Sequence, residues 1–201
     1  LSIHSFPTRR SSDPNAPPQS PISNPSSRVS SNCQIIPSDT DQDTAREHAL
    51  KVAKHLGVQK GLIYLLGTQS ASAEDSDREL PFRQRRYFFY LSGVDFPDCS
   101  LTYDIETTKL TLYIPAPEPS KVIWMGPTPT IQECMDKYEV DQVSYTSEVR
   151  HHIFKWAASN SHQRIFLLHP THAPPALTTI ATNLDATSLQ PAMDEIGRAH
   201  V

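Results

Sequence analysis

With 201 residues, 37% hydrophobic and 20% charged, the chain has enough apolar material for one domain with its own core. A formal net charge of −4 excludes the basic footprint of a nucleic-acid binder, since Arg83, Arg85 and Arg86 form the only dense positive cluster. No run nears the ~20 apolar residues of a membrane span, and no charged-then-apolar opening marks a secretory signal.

Cys33, Cys99 and Cys134 are odd in number and lack a C-x-x-C pair. They read as free thiols of a reducing, cytoplasmic compartment rather than as a disulfide framework or a zinc site. Seven of the 18 prolines and eleven serines fall in the first 40 residues. Such a stretch, poor in aromatics, cannot bury enough surface to offset its ordering entropy, so residues 1–39 are expected to be a disordered tail. Residues 4–13 (HSFPTRRSSD) and 195–201 (EIGRAHV) resemble conceptual translations of sequencing-adapter DNA. Both are set aside from the fold reading. The expected domain is therefore residues 40–194, and the chain is expected to stop because its template stopped.

The ordered part opens with a helix capped at Asp43-Thr44. It has apolar residues at Ala45, Ala49, Val52, Ala53 and Leu56, and Gly57 ends it. Residues 62–66 (LIYLL) predict a buried strand and 69–80 a polar loop. Residues 87–91 (YFFYL) predict an aromatic-rich strand closing on Ser92-Gly93. Residues 99–103 and 109–114 predict two further strands joined by the DIETT turn, with Leu110, Leu112 and Ile114 on one face. Pro115, Pro117 and Pro119 stop the sheet. Beyond them the pattern predicts helices over 119–125, 131–138 and 147–158, a minor strand over 140–143 and a buried strand over 165–168. Strands alternating with helices indicate an α/β fold, a mixed sheet with flanking helices.

No catalytic constellation assembles from these residues. With six glycines and no G-x-G pair, phosphate-loop and dinucleotide fingerprints fail. His48 and His55 share one face of the first helix without an acidic or cysteine partner at ligand spacing, so solvated surface is the expectation. His151 and His152 are adjacent and diverge; His169 and His172 follow a strand. Asp95, Asp98, Asp104 and Glu106 could hold a divalent cation. They flank strand ends and a turn, however, where Asp bonds its local backbone.

The segment 82–93, FRQRRYFFYLSG, resembles the Phe-Arg-Gln run and aromatic stretch of the amino-terminal domain of aminopeptidase P. The likeness extends over PDCSLTYDIETTKLTLYIP (97–115), Val122-Ile123-Trp124, EHALKVAKHLG (47–57), GLIYLLG (61–67) and SLQPAMD (188–194). It is similar in particular to fungal-type Xaa-Pro aminopeptidases of the prolidase type. The resemblance implies an RNase H-like domain that precedes a pita-bread catalytic domain. That second domain would hold two metal ions, usually manganese, through two Asp, one His and two Glu. None of those five ligands has a counterpart here, so no cofactor is expected on this chain itself and the fragment alone is expected to be inactive. The implied partners are its own catalytic domain and a second copy in a homo-oligomer, with proline-containing peptides as substrate of the parent. The implied role is to border the active site and build the oligomer, and Phe82, Arg83, Gln84, Phe88, Phe89 and Tyr90 are the candidates for it. Against that role stands plain packing of Phe88 and Tyr90, or of Phe89, into the sheet, with Arg83 in an internal ion pair. A stand-alone binding domain that lost catalysis is the alternative.

Overall fold

The computed structural model describes residues 44–76, 78, 80–120, 122, 126–173 and 184–199. Helix α1 (Ala45–Leu56) starts at a reciprocal cap. The Thr44 hydroxyl accepts from the Glu47 amide, and the Glu47 carboxylate accepts from the Thr44 amide at 3.0 Å. Strand β1 (Leu62–Leu66) follows, then α2 (Arg86–Ser92), β2 (Ser100–Asp104) and β3 (Lys109–Ile114). After these come α3 (Ile131–Lys137), with the same cap pairing Thr130 and Glu133, and β4 (Gln142–Tyr145). A single 3-10 turn leads into α4 (Val149–Ser159). Then β5 (Ile165–Leu167), β6 (Leu184–Asp185) and α5 (Leu189–Ala199) close the order.

The six strands form one sheet in the order β4-β3-β2-β1-β5-β6. β2 runs antiparallel to both neighbours; the pairs β3–β4, β1–β5 and β5–β6 are parallel. This is the mixed α/β sheet with flanking helices that alternation of elements predicted. Register follows the pleat: Leu62 faces Asp104 across β1–β2, and Asp104 faces Lys109 across the hairpin. Successive side chains therefore leave on opposite faces. Ile63, Leu65, Leu101, Tyr103, Leu110, Leu112, Ile114, Val143 and Phe166 point to one side. There they meet Ala49 and Val52 of α1, Phe88 and Leu91 of α2, Cys134 of α3, and Leu189, Met193 and Ile196 of α5. Leu62, Tyr64, Tyr113, Ile165 and Leu167 point to the other side, where Val149, Ile153 and Trp156 of α4 pack against them.

Residues 86–92 form a helix, which corrects the aromatic strand expected over 87–91. Phe88, Leu91 and Ser92 are the buried positions, a spacing of three and four rather than two. Gly93, at φ 66°, ends the helix in a left-handed conformation, and its amide donates to the Phe89 carbonyl at 2.7 Å. The aromatic content favoured a strand, but tertiary burial of one helical stripe decided the matter. Smaller shifts occur elsewhere. β4 lies two residues later than 140–143, because Asp141 is spent on Leu110: its amide donates to the Leu110 carbonyl and its carboxylate accepts from the Leu110 amide. β6 and α5 were not foreseen. Residues 195–199, set aside with the adapter-like tail, continue α5, and Ile196 is buried in the core. Of the helix expected over 119–125, Pro119, Ser120 and Val122 are helical and the rest lies outside the described residues. The tail 1–39 and Trp124 lie outside them too.

Candidate functional site

The FRQ segment sits where β1 ends. Gly67, just past β1, approaches β2 so closely that a Cβ there would lie 2.8 Å from the Cys99 carbonyl oxygen. Gln84 fixes this corner. Its Oε1 accepts from the amides of Thr68 at 2.8 Å and Arg85 at 3.0 Å, and its Nε2 donates to the Phe96 carbonyl at 3.1 Å. The Thr68 hydroxyl donates to the Arg83 carbonyl at 2.8 Å. Asp98, in a left-handed conformation at φ 62°, accepts from the Ser70 amide and hydroxyl at 2.9 and 2.7 Å. One side chain and a few backbone bonds thus hold segment 82–85 rigidly against the loops at both its flanks.

With that frame fixed, the helical geometry of α2 sorts the six candidates. Phe88 is wholly buried and packs the core. Tyr90 is half-buried and stacks on His48 of α1, with ring centroids 3.9 Å apart; His48 Nδ1 lies 2.8 Å from the Tyr90 carbonyl. His48 therefore docks α2 onto α1, correcting its reading as solvated surface. Gln84 is the structural corner. Arg83 has an exposed side chain, whereas Phe82 and Phe89 are 38% and 49% exposed. Leu80, at 52%, extends the same stretch of chain. So large apolar groups face solvent beside a loop that is otherwise pinned.

Arg85 and Arg86 carry contacts that sequence reasoning did not assign. Arg86 donates to the Asp194 carboxylate at 2.7 Å and Tyr87 donates to the same oxygen, tying α2 to α5. Arg85 donates to the Leu66 carbonyl at 3.3 Å and reaches His172 Nε2 at 2.8 Å. A guanidinium only donates, so Nε2 is the acceptor and the imidazole proton sits on Nδ1. Nδ1 itself is buried without a partner among the described residues. Burial, then the charges of Arg85 and His169, push the His172 pKa below the usual histidine range. Burial also raises the nearby Tyr64 to about 12. No local signal marks the Arg85–His172 pair, because its members lie 87 residues apart.

These groups can bind and position, but they lack a reacting centre. Cys99 and Cys134 are buried thiols whose pKa values burial pushes up, so neither is a thiolate. The Ser92 hydroxyl donates to the Phe88 carbonyl within α2 at 2.7 Å. Among the described residues, no three His, Cys, Asp or Glu gather to hold a metal ion. Three of the four carboxylates considered earlier are separately engaged, and Asp95 is exposed. Asp98 holds Ser70, Asp104 accepts from Trp156 and the Glu106 amide, and Glu106 holds Lys60 and Gln163. The described residues do not supply the ligand set of a two-metal centre.

Comparison with known proteins identifies the family and agrees with the fold. Residues 45–166 match the family model of the aminopeptidase P N-terminal domain. A "Probable Xaa-Pro aminopeptidase" from Pyrenophora tritici-repentis is 45% identical over 154 residues, covering 77% of this chain and 23% of the relative. One from Aspergillus terreus is 46% identical over 161 residues, covering 80% and 33%. The chain thus spans a quarter to a third of the length of such relatives. Among solved structures, aminopeptidase P from E. coli in a low-pH form superposes with a TM-score of 0.53 at 16% identity, covering 79% of this chain and 35% of that one. Proline aminopeptidase P II from Yersinia pestis gives 0.52 at 19%, covering 69% and 32%. At these identities the structures speak for the fold, while the family model and the fungal relatives speak for descent: this chain belongs to the family of aminopeptidase P N-terminal domains.

Proposed function

We propose that this chain is the non-catalytic, positioning part of a metal-dependent, manganese-type Xaa-Pro aminopeptidase, which removes the residue preceding proline. The reaction belongs to a catalytic domain outside these residues. There two metal ions would supply an activated hydroxide. Within this chain, the pinned FRQ corner and the outward side of α2 present Phe82 and Phe89 to that domain or to a second copy in a homo-oligomer. The single observation that carries the reading is the contrast in one helix. Phe88 is fully buried while its neighbour Phe89 stands half exposed on a rigid base, within a chain much shorter than its relatives. A cytoplasmic setting agrees with the buried free thiols Cys99 and Cys134. Among the described residues, no helix is long and apolar enough to cross a membrane.

A chimera tests the proposal. Residues 45–166 replace the matching segment of the Aspergillus terreus relative, and Xaa-Pro peptide cleavage is measured with added Mn²⁺. The chimera is expected to cleave, and this chain alone to leave the peptide intact. Cleavage by the isolated chain, or a folded but inactive chimera, would refute the assignment.

A further inference from the structure

The second face of the sheet holds a feature that the proposed role leaves unused. Between α4 and the strands β1–β4 lies a cleft of about 300 Å³, the lower end of the range of small-molecule sites. Its floor is polar where a helix-covered sheet is ordinarily apolar. Thr102 and Thr111 are both 6% exposed, and the Tyr113 hydroxyl lies 3.2 Å from both Thr102 Oγ1 and His152 Nδ1. The Thr102 and Tyr113 hydroxyls already pair with each other, and each keeps capacity for a further hydrogen bond, so the floor can accept a polar ligand. Leu62, Ile153 and the Trp156 ring supply an apolar wall.

Charge at the rim narrows the ligand class. Lys109 and Lys155 both line the cleft and neither is ion-paired among the described residues. Asp104, cross-strand from Lys109, is the one carboxylate of the lining. Its two oxygens accept from the Glu106 amide at 3.1 Å and Trp156 Nε1 at 3.3 Å. Those bonds fix its position and leave lone pairs for a further donor. Two ammonium groups, one anchored carboxylate and an apolar wall match a small zwitterion with an apolar side chain. We infer that this cleft binds a free α-amino acid of that kind, its carboxylate toward Lys109 and Lys155 and its ammonium toward Asp104.

The test uses the full ¹⁵N-labelled 201-residue chain and the indole N–H resonance of Trp156, assigned with Trp156→Phe. L-leucine is titrated beside N-acetyl-leucine, which lacks the ammonium, and leucinamide, which lacks the carboxylate. Leucine is expected to shift the Trp156 signal saturably, with half-saturation on the order of 1 mM, reasonable for so few heavy atoms. Both analogues are expected to bind several-fold more weakly. Asp104→Asn weakens leucine but not N-acetyl-leucine. The double change Lys109→Met, Lys155→Met weakens leucine and N-acetyl-leucine roughly three- to ten-fold, the scale of two exposed ion pairs. Shifts that never saturate, or N-acetyl-leucine binding as tightly as leucine, overturn the inference. The three-ligand comparison on the unaltered chain decides this even where a variant fails to fold.

Discussion

The two faces of the sheet are built to different ends. On one, four helices close over aliphatic and aromatic side chains from β1, β2, β3, β4 and β5, and polar groups are few. On the other, among the described residues, a single helix, α4, covers Leu62, Tyr64, Ile165 and Leu167. The half over β2, β3 and β4 keeps Ser100, Thr102, Thr111 and Ser144 beneath it. The same strands supply both faces through the two-residue pleat, so the difference lies in alternate residues of one segment. In β3, Leu110, Leu112 and Ile114 serve the dry face and Thr111 and Tyr113 the polar one. The dry face supplies most of the stability through non-directional burial. The polar face gives up some of that burial for hydrogen-bonding groups.

Substitutions break or sharpen this contrast, the largest on the dry face. Phe88→Ala empties a fully buried aromatic site and is expected to cost about 3–5 kcal/mol, read by urea denaturation. Leu112→Ala, in the same core, is expected to cost about 2–5 kcal/mol. Its neighbour Tyr113→Phe removes only the hydroxyl between Thr102 and His152, a loss of about 1 kcal/mol. Equal costs at 112 and 113 would abolish the distinction between the faces.

A pH effect comes next. His172 has a folded-state pKa below its ordinary value, first through burial and then through Arg85 and His169, so the unfolded chain binds its proton more tightly. Its contribution to stability is whole above about pH 6.5. It is lost as pH falls through that value and levels off below the folded-state pKa. Thermal melts of wild type and His172→Gln across pH 5–8 should converge toward the acid end. Parallel curves would remove His172 as the cause. The smallest effect is expected outside both faces. Phe89→Ala should leave the stability of this chain within about 0.5 kcal/mol, because the ring is half in solvent.

Legibility in sequence followed the length and regularity of each pattern. α1 was readable because Thr44 caps it and Ala49, Val52 and Ala53 repeat at helical spacing. β3 was readable because three aliphatics alternate. α2 was misread since its buried stripe comprises only Phe88, Leu91 and Ser92, one turn long, within a run of aromatics that favours strands. α5 went unseen because part of it was set aside with the adapter-like tail, although Ile196 packs in the core. The candidate site was placed on segment 82–90 by resemblance alone. Which rings face out depended on the helix and could not be read while 87–91 was taken as extended. The Arg85–His172 contact and the Thr102–Tyr113–His152 network join distant residues through the sheet, and nothing local encodes them.

The most direct test of the account compares Phe82→Ala and Phe89→Ala in the isolated chain and in the chimera with the Aspergillus terreus relative. The measurements are the melting temperature of the chain, then kcat/KM on an Xaa-Pro peptide and the oligomeric state of the chimera. The account predicts an unchanged melting temperature together with about ten-fold or greater loss of kcat/KM, or dissociation of the assembly, as for a central aromatic anchor. Unchanged kinetics and unchanged assembly would contradict it and return both rings to the status of ordinary surface residues.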